Sequence, residues 1–176
     1  MEDIRAQQLF VRINRLFWLI WVLLPFCLYK AIPWLEGSPD QIFLTQQTTC
    51  ADPAQRLSPT GQSLAWVYFG VNTGIYLVLF ALMHRLVHGF AKGQVFIEQT
   101  LTYMGYIAGL VIAWPLVDVV MLNAVSWQLA AIGDLTHFTP DLRIDVMTLG
   151  SGFFLWVIRV ILSHALALHE ESRYTI

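Results

Sequence analysis

Leu101-Thr-Tyr-Met-Gly-Tyr-Ile-Ala-Gly-Leu-Val-Ile-Ala-Trp-Pro-Leu-Val-Asp-Val-Val-Met121 holds one charged side chain, Asp118, in an otherwise apolar run. At about 1.5 Å per helical residue, such a run crosses the ~30 Å hydrocarbon core of a bilayer. Three more stretches read the same way, at residues 16–35, 63–83 and 146–163. Over the whole chain 57% of residues are hydrophobic and 12% charged. The pattern predicts an all-α membrane protein, a four-helix transmembrane bundle in a single domain spanning residues 1–176. The polar intervals 36–62 and 122–145 are too short to fold as separate globular units. A net charge of −2 gives no sign of direct nucleic-acid binding.

Arg5, Arg12 and Arg15 precede the first run in the manner of a signal peptide. The run is too long for an h-region, and no small-residue cleavage site follows it. It is expected to persist as a helix. Residues 1–17 also carry Ile4, Leu9, Phe10, Ile13 and Phe17 at helical spacing, so this segment either lies on the inner surface or continues into the first span.

Basic residues orient the bundle. Arg5, Arg12, Arg15, Arg85, Lys92 and Arg173 fall on one side, and Arg56 and Arg143 on the other. This predicts cytoplasmic termini and an outer cap made from loops one and three. In loop one, turn signals bracket Ile42–Thr45, which suits a small hairpin. After Met121 the semi-apolar stretch 122–132 reads either as an extension of the third helix or, preferably, as a separate surface helix capped by Asn123. Cys27 falls inside the first span. Cys50 falls in loop one, free or paired between chains.

Charges inside spans require a partner or an escape route. Lys30 and Asp118 fall at nearly the same outer level and are close enough in depth to pair. Arg159 falls near the inner end of the fourth span, able to snorkel or to reach Glu98. Asn72 sits mid-membrane. Lys30, Asp118 and Asn72 form the basis of a small transporter or immunity-type alternative. Gly70 with Gly74, and Gly105 with Gly109, are small-xxx-small pairs that suit close helix packing or a homo-oligomer. Proline at 25, 33 and 115 removes a backbone donor from its helix.

His84 and His88, at i and i+4, share a helical face and offer the spacing of a two-imidazole metal or haem site. His164 and His169 do not share one, and no carboxylate or cysteine motif accompanies the first pair. Solvated or interfacial histidines are therefore expected, with no cofactor or metal. Gly150-Ser151-Gly152 is not a nucleophile elbow. No phosphate loop and no His-Glu-x-x-His is present, so no enzyme is expected.

Phe90-Ala-Lys-Gly-Gln-Val-Phe-Ile-Glu-Gln-Thr-Leu101, leading into Gly105, and the ending Ala165-Leu-Ala-Leu-His-Glu-Glu-Ser-Arg-Tyr-Thr-Ile176 resemble the bacterial family known as domain of unknown function 2975 (DUF2975). Arg173 and Tyr174 depart from its usual ending. The resemblance implies a small multi-pass inner-membrane protein without established activity. Some members are encoded beside a small helix-turn-helix regulator, which implies a regulatory role with a cytoplasmic protein partner. In the connector, Gly93 would stop the second helix and Phe96 begin the approach to the third, with Phe90 packing against helix ends or the tail.

Overall fold

In a computed structural model, the described backbone covers residues 2–36, 57–93, 97–135 and 137–174, with side chains described for 8–25, 57–93, 97–135, 137–168 and 171–172. The hairpin expected at 42–45, Cys50 and Phe96 lie outside the described residues, as do the side chains of Cys27 and Lys30. The described residues form four helices: α1 (Glu2–Glu36), α2 (Pro59–Ala91), α3 (Glu98–Ala131) and α4 (Val146–Tyr174). All four contain segments long and apolar enough to cross a membrane. The chain is a multi-pass membrane protein. With 35, 33, 34 and 29 residues, the helices run about 44–52 Å and so exceed a ~30 Å core.

One open alternative is resolved here and one preference is overturned. The N-terminal amphipathic segment is continuous with the first span in α1. Residues 122–131 extend α3 without a break, so no separate surface helix forms. The reason is hydrophobic: Leu122, Val125 and Leu129 fall at i, i+3 and i+7 and all are buried. That stripe rewards continuing the helix over starting a new one.

The chain divides into two compact units, one comprising Met1–Val22, Tyr76–Pro115 and Asp145–Ile176, the other Leu23–Ile75 and Leu116–Ile144. The second is built on an apolar cluster of Leu57, Ala65 and Tyr68 with Leu122, Val125 and Leu129. Ser58 caps α2, its Oγ accepting from the Gly61 amide at 3.2 Å, and Pro59 occupies the first helical position, where no N–H is needed. The turn signals at Ser58–Gly61 thus start α2 ahead of the expected Ser63. At the same end of this cluster Gly133, at φ 82°, closes α3. The Asp134 amide donates to Leu129 O and the Gly133 amide to Ala130 O, a paired arrangement that needs a left-handed residue. The turn aims Asp134 at α2, where Oδ2 accepts from both the amide (3.0 Å) and the hydroxyl (2.7 Å) of Ser58.

Asn123 is not a cap. It lies within α3, and its side-chain amide clamps the following loop: Nδ2 donates to Asp141 O at 2.6 Å and Oδ1 accepts from Asp141 N at 2.8 Å. Asp141 also pairs with Arg143 at 2.7 Å. The Arg143 hydrogen bonds hold the Asp141 carboxyl below the usual aspartate range.

In the first unit, successive helices are antiparallel neighbours. Phe10 meets Phe90, and Phe17 and Trp21 meet Phe80. Tyr76 of α2 meets Trp114 of α3, and Gly152 of α4 lies against Ile112 of α3. Asp145 caps α4, accepting from the amides of Met147 (3.0 Å) and Thr148 (3.1 Å) and from the Thr148 hydroxyl.

Candidate functional site

His84 stands at the centre of the α1–α2 seam. Asn14, Phe17, Trp18 and Trp21 recur at i, i+3, i+4 and i+7 and so share one face of α1. Phe17 stacks on the His84 ring with centroids 5.5 Å apart, and Trp18 meets it edge-on at 5.1 Å. Trp21 Nε1 donates to His84 Nδ1 at 2.9 Å. That bond makes Nδ1 the lone-pair nitrogen and puts the proton of a neutral ring on Nε2. His84 Nε2 and Asn14 Oδ1 are both buried without a hydrogen-bond partner. One is a donor and the other an acceptor, a complementary pair that a water or hydroxyl could satisfy.

His88 lies one turn away, its ring centroid 6.4 Å from that of His84. The spacing that suggested a metal is present, yet the His84 lone pair is occupied by Trp21. Among the described residues no group of three or more His, Cys, Asp or Glu is gathered for an ion. His164 Nδ1 lies 2.9 Å from Val160 O on its own helix.

The second constellation surrounds Arg159. Nε donates to Leu101 O at 3.1 Å, and Cζ lies 5.5 Å from the centroid of the Trp156 ring. A Cβ on Gly105 would stand 2.7 Å from Nε and 3.0 Å from Cζ. Gly105 therefore makes room for a guanidinium and not for a helix backbone. Of the two readings from sequence, snorkelling or reaching Glu98, the second is replaced by a backbone carbonyl, because that of the fourth residue of α3 is within reach of the half-buried side chain.

The other small-residue pairs also read differently. No described residue lies within 4 Å of a Cβ built on Gly70, Gly74 or Gly109. Close approach occurs instead at Gly61 in α2 and at Gly152 in α4, and Ala65, one turn beyond Gly61, is fully buried. At Gly152 a Cβ would meet Ile112 N at 2.9 Å. The Gly61-x-x-x-Ala65 spacing was open to inspection, but adjacent turn signals obscured it.

Asp118 accepts from the Tyr68 hydroxyl at 2.7 Å. Asn72 Nδ2 donates to Tyr68 O at 3.2 Å. Among the described residues Tyr68 is thus a partner of Asp118, and it joins two of the polar residues singled out from sequence; the expected pairing of Asp118 with Lys30 falls on a side chain outside the described residues. In the connector Gly93 has φ 76° and its amide donates to Phe90 O at 3.0 Å, ending α2. The Phe90 ring packs on Phe10 of α1 at 5.2 Å.

The sequence profile of the family described as Protein of unknown function (DUF2975) matches residues 14–176, nearly the whole chain. The chain belongs to the DUF2975 family. No curated protein matches it and no solved structure matches it. The part shared with DUF2975 includes the His84 seam, the Arg159 seat and the Tyr68–Asp118 pair.

Proposed function

We propose that this DUF2975 protein is a non-enzymatic regulatory or protein-interaction module of a bacterial inner membrane. Both termini face the cytoplasm, loops one and three form an outer cap, and the cytoplasmic face engages a protein partner such as a small helix-turn-helix regulator. The supporting observation is helical overhang on the side richer in basic residues. α1 begins at Glu2, fourteen residues before Leu16, and α4 runs to Tyr174, eleven beyond Ser163. These segments amount to about 21 Å and 16 Å of helix outside the expected core. They carry exposed apolar residues at the ends of the stretches apolar enough to span, Leu9 at 56% and Leu168 at 67%, that suit a partner surface.

The test is photocrosslinking in native membranes from Leu9 and Leu168, with Leu142 as the outer-loop control. A discrete protein adduct from the first two positions and not from the control supports the reading. Equal capture of lipid alone at all three positions sinks it. Reporter fusions at the C-terminus separately check the orientation, and an externally active reporter reverses it.

A further inference from the structure

We propose that Arg159 is the seat of a bound phosphate group, supplied by an anionic phospholipid. A guanidinium within a spanning helix calls for polar partners or a route to the interface, and one carbonyl satisfies one of its five N–H donors. Among the described residues no carboxylate pairs with it, and the hydrogen bond it makes to them uses Nε. The two terminal amino groups are left with their N–H donors, the planar fork that recognises phosphate oxygens bidentately.

The seat is built and not incidental. Leu101 O fixes Nε, Gly105 leaves the space that the guanidinium fills, and Trp156 flanks it. Leu101 is the fourth residue of α3, three beyond Glu98. The guanidinium lies between the levels of Leu101 and Gly105, about 5–10 Å along α3 from the charged Glu98, close to the interfacial zone where lipid phosphates sit. Trp156 is 44% exposed, and the adjoining Tyr106 and Val160 are also open. A lipid can thus approach from the side, with its chains along the apolar face and its phosphate on the fork.

The experiment uses the full chain in detergent, read by native mass spectrometry and by thermal shift. The probes are phosphatidylglycerol, phosphatidylcholine and inorganic phosphate. The protein is expected to retain phosphatidylglycerol and to be stabilised by it more than by phosphatidylcholine. Arg159→Gln is expected to weaken this binding about tenfold or more, the scale of a lost charge-assisted hydrogen bond. Arg159→Lys keeps the charge, loses the fork and gives a smaller loss. Gly105→Ala keeps the arginine, displaces it from its seat, and serves where Arg159→Gln fails to fold. Stabilisation by inorganic phosphate alone, lost in the same variants, assigns the seat to a free ion. Unchanged phosphatidylglycerol retention across the folded variants, or no response of the unaltered protein to any probe, overturns the proposal.

Discussion

Trp21 and His84, 63 residues apart in sequence, are joined by a 2.9 Å hydrogen bond from the indole N–H to Nδ1. The bond fixes the register of α1 against α2, because it requires the two side chains to meet at one level. Trp21→Phe keeps most of the apolar area and leaves Nδ1 without its donor. A cost of about 1–3 kcal/mol is expected, since an unmet buried group loses its solvation as well as its bond. The double change with His84→Phe removes both polar groups and should recover part of that loss. Denaturant unfolding in micelles measures it, and an unaltered midpoint for Trp21→Phe would mean that the bond contributes nothing.

At the α2 N-terminus, Asp134 Oδ2 takes two hydrogen bonds from Ser58. Asp134→Ala should cost about 1–3 kcal/mol, because it frees both donors near a helix terminus that favours negative charge. Gly61→Ala should be at least as harmful. Its Cβ would collide with the Asp134 carboxylate and stand 2.9 Å from Leu129 Cδ2. Comparing the two variants' unfolding midpoints separates the cap from the close approach. Equality of Gly61→Ala with the unaltered protein would contradict the packing.

The spans were legible because membrane crossing is a matter of length and composition, and both are local. Helix ends were less so. The segment 122–131 reads as a surface helix until Leu122, Val125 and Leu129 are seen to bury one stripe against α2. That reward is tertiary and has no local signature. The same holds for glycines. Gly105 was singled out as a helix-packing residue, yet its neighbour is a guanidinium from a residue 54 positions on. The embedded charges were legible as costs, since any chain must neutralise them. The partners of Asp118 and Arg159, Tyr68 and Leu101 O, were not, because a hydroxyl and a backbone carbonyl carry no charge by which sequence reasoning could find them.

Glycine replacements should therefore divide by neighbour. Gly152→Ala places a methyl 2.9 Å from the Ile112 backbone nitrogen and 2.7 Å from its Cγ1. The helices must separate, and a loss of about 1–3 kcal/mol is expected. Gly105→Ala meets only the movable end of Arg159 and should cost less. Gly109→Ala meets no described residue and should stay within about 0.5 kcal/mol. Thermal unfolding of the three variants side by side gives the order. A reversal of Gly152 and Gly109 would contradict the α3–α4 packing.

Asp145 supplies a pH dependence at the start of α4. Its carboxyl is held below the usual aspartate value, chiefly by the Thr148 hydroxyl, then by the Thr148 and Met147 amides. A carboxyl lowered on folding stabilises the capped helix above its unfolded pKa. That contribution fades as pH falls through the lowered folded value. Amide exchange at Met147 and Thr148 should be slow above roughly pH 5 and lose protection in acid relative to the intrinsic exchange rate. Asp145→Ala should remove that excess protection at every pH. Protection independent of both pH and the substitution would rule out the cap.

Tyr68 and Asp118 distinguish a structural polar cluster from a transport step. The hydroxyl donates to Oδ1 at 2.7 Å, and Tyr68 is 4% exposed within the Leu122–Leu129 cluster. A structural role requires that either half of the pair be missed for stability. Tyr68→Phe should then cost about 1–3 kcal/mol through the bond alone, since the ring still fills its place. Asp118→Asn preserves an acceptor oxygen for the hydroxyl and should cost less than Asp118→Ala. A transport role instead requires a titrating carboxylate, which asparagine cannot replace. In vesicles holding the purified protein, a proton or ion flux abolished by Asp118→Asn and by Lys30→Met, at unaltered stability, would favour transport. The stability order alone, with no flux sensitive to either change, identifies the pair as a strut between α2 and α3.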